Sequence, residues 1–103
     1  MKNSENPVPL TGEEYKPLFK EQLLKLRSGF VPLKKGEDCG EHTTGEHEEL
    51  LIMLEGEGTV KLVEENLEFS VKAGQAFYVK PGCRHNVTGN ETGLKYVYIV
   101  TPV

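Results

Sequence analysis

The sequence lacks several features that define large classes of proteins. Its two cysteines are too few for a disulfide framework, and 103 residues suffice for only one hydrophobic core. No apolar run approaches the roughly 20 residues that a transmembrane helix needs, and the first residues have no apolar stretch typical of a signal peptide. We therefore expect one globular domain, located in the cytoplasm, with no membrane contact.

Basic clusters are also missing. The 12 Lys and Arg residues are scattered along the chain, and 16 acidic residues outnumber them to give a net charge of −4. Proteins that bind nucleic acids present basic patches or stripes to the phosphate backbone. We therefore expect no nucleic-acid partner.

Short apolar segments alternate with turn residues along most of the chain. This pattern predicts seven or eight short strands, at about 28–33, 39–44, 47–54, 59–63, 67–71, 76–79, 84–88 and 94–100. Many short strands separated by Gly-rich and Pro-rich turns are typical of an all-β sandwich or barrel. The expected barrel covers residues 28–103.

The segment before the strands has a different pattern. Apolar residues at helical spacing, after a Thr11 and Glu14 capping box, predict a short helix at about 12–24, although Pro17 opposes it. We interpret residues 1–27 as an N-terminal extension that packs on the barrel or on a partner.

All three histidines lie in two Gly-rich segments, residues 36–49 and 74–85, beside carboxylates. Imidazole and carboxylate ligands together suit a divalent transition metal. A single histidine on a strand is more often a hydrogen-bonded structural residue than a ligand, so the prediction depends on the three occurring together. The two segments therefore predict a metal site.

The expected geometry of this site follows from strand alternation. His47 and Glu49 point to the same face of one strand, and residues 45–46 suit a two-residue hairpin turn that would bring His42 close from the other arm. In a small barrel, inward positions of facing strands are near one another, so His85 could reach the same point. The predicted ligands are His42, His47, Glu49 and His85.

The first segment resembles the first motif of the cupin family. Gly36, His42, Glu49 and Gly56 have the spacing of that motif, in which a glycine precedes histidine and glutamate ligands. Thr44 stands where the family has a second histidine. This chain therefore departs from the family pattern at one ligand position.

The second segment resembles the second cupin motif. Gly74, Gly82 and His85 have the family spacing, while the expected proline and asparagine occur one position later, as Pro81 and Asn90. Together the two motifs place the resemblance over roughly residues 30 to 100.

The resemblance implies an antiparallel double-stranded β-helix, or jelly-roll barrel, with a divalent transition metal inside: iron, manganese, zinc, nickel or copper. Residue by residue, His42, Glu49 and His85 match the family's ligand positions. We predict that His47 replaces the imidazole that is missing at Thr44.

Two functions are compatible with such a site. The first is a metal-dependent enzyme of the oxygenase, isomerase or decarboxylase type that acts on a small polar molecule; the second is a non-catalytic module that binds a small ligand or a metal. Only 17 residues separate Gly56 from Gly74, which leaves few loops for a substrate pocket and favours the second function. The expected cavity walls are Leu51, Met53, Phe77 and Val79, and the expected neighbours of the metal are Thr44, Tyr78, Cys83 and Arg84.

Apolar residues exceed what one small barrel needs inside. Residues 94–100 form an apolar segment that we interpret as an edge strand, and residues 15–26 carry a further apolar stripe. Exposed apolar edges are usually covered. The sequence therefore predicts a homodimer, and the alternative is that the N-terminal segment covers the edge of its own barrel.

Overall fold

The computed structural model describes residues 6–103, and it is built from β-strands. The strands are β1 (Lys16–Pro17), β2 (Arg27–Leu33), β3 (His47–Leu62), β4 (Leu67–Lys72), β5 (Ala76–Val79) and β6 (His85–Pro102). Within residues 6–103 there is no helix, and hence none that could cross a membrane. The predicted all-β fold class is confirmed.

All strand pairs are antiparallel, and their order in the sheet is β1-β2-β6-β3-β4, with β5 paired to β3. The two long strands β3 and β6 pair over most of their length. Register shifts between Met53 and Glu55 and between Gly56 and Gly58 bend this ladder. The sheet therefore rolls into a jelly-roll barrel, because each long strand contributes to both of its halves.

Most predicted strands are confirmed. The segments predicted at 28–33, 67–71 and 76–79 match β2, β4 and β5. The segments at 47–54 and 59–63 are one strand, β3, and those at 84–88 and 94–100 are both parts of β6. The glycines between them bend the strands without ending the ladder.

The prediction of a strand at 39–44, and of the hairpin that it would form, is wrong. Within this segment only His42 makes a bridge, with His85, and just before it Asp38 bridges to Thr88, so the segment pairs with β6 rather than with β3. Its backbone leaves the extended conformation at Gly40, where φ is 92°, and the Asp38 carboxylate accepts a hydrogen bond from the Gly40 N–H at 2.8 Å.

The prediction of a helix at 12–24 is also wrong. Pro17 has no N–H to donate and lies in β1, and the Leu18 N–H bonds to the Ser28 carbonyl at 2.9 Å. Phe19 then adopts a left-handed φ of 51°, and one turn follows, closed by the Leu23 N–H on the Phe19 carbonyl. Strand pairing and the left-handed residue therefore override the helical spacing.

Apolar side chains pack on both sides of the sheet. Inside the barrel they form the main core, which comprises Leu33, Leu51, Met53, Val60, Val71, Val79, Cys83, Val87, Leu94 and Tyr96. On the outer face, Leu18 from the N-terminal segment packs with Phe30 and Val97. The N-terminal segment thus covers part of the outside of β2 and β6.

The interpretation of residues 94–100 as an edge strand is wrong, since β6 lies between β2 and β3. The homodimer stays a prediction.

Candidate metal centre

Three of the four predicted ligands lie together inside the barrel. One potential ligand atom from each of His42, Glu49 and His85 lies within 4.8 Å of the other two. Glu49 is on the inner face of β3, and His85 is the first residue of β6. His42 lies in the loop that precedes β3, and its backbone exchanges two hydrogen bonds with that of His85, at 2.8 and 2.9 Å. Backbone pairing therefore sets the separation of the two imidazoles.

Both rings are oriented by backbone carbonyls. His42 Nδ1 lies 2.8 Å from the Gly40 carbonyl oxygen, and His85 Nδ1 lies 2.9 Å from that of Cys83. Because a carbonyl oxygen only accepts, each Nδ1 must carry a proton, and the tautomer is assigned on this ground. Each Nε2 is then left to bind a metal, as in metal sites whose histidines are held through the other ring nitrogen.

Glu49 and His85 form a buried pair. The distance from His85 Nε2 to Glu49 Oε1 is 2.8 Å, and the two residues are 0% and 5% exposed. Burial lowers the pKa of His85, but the hydrogen bonds to Glu49 and to the Cys83 carbonyl, together with the Glu49 charge, outweigh it, so the pKa is raised above 6.5. Without a metal, a proton on Nε2 links the ring to the carboxylate.

The donor set fits a divalent transition metal. Two imidazole nitrogens and one carboxylate oxygen converge in a buried site, and a cation there would neutralise the carboxylate in place of the Nε2 proton. The carbonyls that accept from the two Nδ1 atoms would keep both rings in their present orientation.

His47 is the one predicted ligand that lies outside this group. It is the first residue of β3, and its Nδ1 lies 3.0 Å from the Thr44 carbonyl oxygen. The Thr44 hydroxyl in turn donates to the His47 carbonyl at 3.0 Å. His47 and Thr44 thus bind each other locally, and the role of His47 as a ligand stays a prediction.

A pocket of about 530 Å³ opens beside the group formed by His42, Glu49 and His85. Small-molecule sites are typically about 300–1,000 Å³ in volume, so this pocket has room for a small ligand. It is lined by Tyr15, Val31, Cys39, His42, Thr44, Glu49, Tyr96, Tyr98 and Val100. Two of the three converging side chains, His42 and Glu49, therefore face the space where a ligand would lie.

The prediction of the cavity walls is wrong for this pocket. Leu51, Met53 and Val79 belong to the barrel core, and Phe77 packs against it; none of them lines this pocket. A pocket wall instead comes from β6, through Tyr96, Tyr98 and Val100. Strand alternation in residues 94–100 would have placed these three on one face, but the segment was interpreted as an outer edge.

The predicted neighbours of the metal divide into two groups. Thr44 lines the pocket, and the Cys83 carbonyl holds the His85 ring. Tyr78 instead donates to Glu48 on the surface, and Arg84 pairs with Glu64 at 3.7 Å. Tyr15 was not predicted, because no sequence spacing indicates that the N-terminal segment reaches the pocket.

Comparison with known proteins agrees with this architecture. The family model for the cupin domain matches residues 29–101. A Klebsiella pneumoniae protein with a double-stranded β-helix domain superposes with a TM-score of 0.77 at 18% identity, covering 91% of this chain and 81% of its own. No curated protein matches in sequence.

Two further structures have related folds. A Bacillus halodurans protein has a TM-score of 0.69 at 25% identity over 77% of this chain, which spans only 64% of that protein. A Thermotoga maritima protein, described as a predicted oxalate decarboxylase, has a TM-score of 0.67 at 22% identity, with coverages of 75% and 66%. With the family match over more than half of its length, the chain belongs to the cupin family.

Proposed function

We propose that this cupin binds one divalent transition metal through His42, Glu49 and His85, and that it is an enzyme acting on a small polar molecule. The observation that carries the proposal is the orientation of the two imidazoles: both donate Nδ1–H to a backbone carbonyl, so that Nε2 of each ring remains for a metal, which would replace the proton between His85 Nε2 and Glu49. A histidine with only a structural role would not need a second imidazole beside it in the same orientation.

The pocket supports a catalytic role. A metal at this site would supply Lewis acidity to an oxygen atom of the substrate, which suits oxygenase, isomerase or decarboxylase chemistry. The side chains of Tyr96 and Tyr98 line the same space, and burial is the main cause that raises the pKa of each. Both phenols are protonated at neutral pH, as an ordinary tyrosine is, and Tyr98 can donate a hydrogen bond to a bound molecule.

A second candidate function is a non-catalytic module that binds a small ligand or the metal itself. Among the described residues that line the pocket there is no lysine, no arginine and no carboxylate besides Glu49. A reaction that needs a separate carboxylate base or a fixed cation would find neither there. Binding of a ligand by the metal-loaded protein without turnover would favour this function.

Metal content tests the ligand set. In protein purified without a His tag and reconstituted, we expect about one metal per chain by elemental analysis. His42→Ala and Glu49→Gln each remove a ligand and should retain less than about a tenth of that amount, because even the loss of a residue that only orients a ligand weakens metal binding by about 10–100-fold. His47→Ala and Thr44→Ala are the matched controls and should keep the metal.

Each other outcome changes the conclusion. A wild-type protein that takes up no metal contradicts the proposal and leaves the histidines as pocket lining. Loss of metal in His47→Ala as well would show that His47 joins the ligands, as the sequence predicted.

A further inference from the structure

Most polar groups of the pocket already have partners within the chain. The Thr44 hydroxyl donates to the His47 carbonyl, and the Cys39 thiol donates to the Gly40 carbonyl at 3.6 Å. The Cys39 sulfur also lies 3.6 Å from the Asn86 side-chain oxygen. A ligand therefore gains few hydrogen bonds from these groups.

Tyr15 and Tyr98 are different, because their hydroxyls bond to each other. Two phenols carry two protons, and one hydrogen bond between them uses only one. The second proton is free to go to a third atom, and both residues line the pocket. The pair thus offers the pocket one uncommitted donor.

The position of this pair is fixed by the fold. Tyr98 in β6 lies opposite Gly29 in β2, where a Cβ atom would be 2.6 Å from the Tyr98 ring, so only glycine leaves space for the ring. Tyr15 directly precedes β1, which pairs with β2, and Leu18 anchors the same segment in the outer core. The planes of the two rings are nearly parallel, with an angle of 8° between them.

The charge of the pocket limits what can bind. Glu49 is a carboxylate, and the described lining residues include no lysine or arginine to balance a second anionic group on a ligand. Much of the remaining wall consists of three tyrosine rings with Val31 and Val100. Flat apolar surface can be buried against such walls, whereas a distal anion would be desolvated without a partner.

We propose that the pocket binds a small polar molecule with a flat apolar body, with one oxygen group directed at the metal site and a neutral hydrogen-bond acceptor directed at the Tyr15 and Tyr98 hydroxyls, and that these two tyrosines determine specificity. The direction of the oxygen group rests on the proposed metal site. The role of the tyrosines does not, because it depends on their own hydrogen bond.

Three benzoates of nearly equal shape test this proposal by isothermal titration calorimetry. 4-Acetylbenzoate carries a neutral acceptor, 4-isopropylbenzoate lacks the acceptor, and terephthalate replaces it with a second carboxylate. In the metal-loaded wild type we expect 4-acetylbenzoate to bind tightest and terephthalate weakest. The contribution of the tyrosine hydrogen bond is measured as the dissociation constant of 4-isopropylbenzoate divided by that of 4-acetylbenzoate.

The double variant Tyr15→Phe/Tyr98→Phe removes both hydroxyls and should lower this ratio about fivefold, the usual effect of one neutral hydrogen bond. Each single variant keeps one hydroxyl and should give a smaller change. Tyr78→Phe is the matched control, since Tyr78 lies on the surface with its hydroxyl on Glu48, and it should leave the ratio unchanged.

Two results would overturn the proposal: an unchanged ratio in the double variant, or no binding of any of the three benzoates at millimolar concentration. Elemental analysis of the same samples separates the two claims. If the wild type lacks metal but the ratio still falls in the double variant, the proposed metal function fails and the assignment of the tyrosines holds. If metal is present and the ratio does not change, the assignment of the tyrosines fails and the proposed metal binding holds.

Discussion

Replacing His85 with alanine is expected to lower the free energy of unfolding of the metal-free protein by about 3–5 kcal/mol, the usual cost of removing one member of a buried ion pair. The ring is fully buried and bonds through both nitrogens, to Glu49 and to the Cys83 carbonyl. Its loss leaves a cavity and a buried carboxylate without its partner. Urea denaturation in the presence of EDTA measures the effect.

The effect should also depend on pH. The pKa of His85 is raised above 6.5 in the folded protein, so the folded state favours the protonated ring. This stabilisation is fully present below the pKa of the unfolded histidine, about 6.5, and is lost as the pH rises through the raised pKa of the folded state. The difference in the free energy of unfolding between the wild type and His85→Ala should therefore become smaller at high pH.

His47→Ala is the control for this prediction, because His47 is half-buried and lies outside the pair. It should cost less than His85→Ala. A loss below about 1 kcal/mol for His85→Ala, in the range of a single neutral hydrogen bond, would contradict the prediction.

Gly56→Ala is expected to prevent folding, or to lower the free energy of unfolding by more than about 4 kcal/mol, a size reached only by severe defects. Gly56 has a φ of 81°, and a Cβ atom there would overlap the backbone carbonyl of Gly93 on β6. Because backbone rather than a flexible side chain fills the space, the ladder between β3 and β6 would have to open. Soluble yield and urea denaturation measure the loss.

Gly36→Ala is a closely matched control. Gly36 has a φ of 78°, and no atom lies within 4 Å of the position that a Cβ atom would take. The substitution therefore introduces the same backbone strain without the overlap, and should cost about 1–2 kcal/mol. Equal losses at Gly36 and Gly56 would show that strain alone accounts for both, and would contradict the close approach of β3 and β6.

Alternation and turn chemistry were enough to predict much of the fold. The strand pattern gave β2, β4 and β5 nearly residue for residue, because each is bounded by turn residues that the sequence shows directly. Inward alternation also placed Glu49, Leu51 and Met53 on one buried face, as the structure has them. These features depend on local geometry, which a sequence contains.

Features that depend on distant contacts could not be read in this way. Residues 39–44 look like a strand, but glycines with positive φ turn the segment toward β6, so His42 meets His85 and not the start of β3. Likewise, Pro17 enters a strand because β2 supplies the pairing. The place of Tyr15 in the pocket depends on that same pairing, which no spacing along the chain encodes.

Three of the four predicted ligands converge because their positions follow from the barrel, and the fourth was placed by the hairpin that does not form. With no strand at 39–44, residues 45–46 do not connect two arms, and His47 bonds to Thr44 at the entry to β3. The sequence thus predicted which of these side chains come together better than it predicted the path of the loop that carries His42.

The central claim is that His42 and His85 bind a metal through Nε2, and imidazole NMR tests it directly. The chain has only three histidines, so two-bond ¹H–¹⁵N spectra recorded during titration with Zn²⁺ give three signal sets that His47→Ala helps to assign. We predict that one equivalent of Zn²⁺ shifts the Nε2 signals of His42 and His85, leaves both rings protonated at Nδ1, and does not change His47. Unchanged signals for His42 and His85, or a shift confined to His47, would contradict the account.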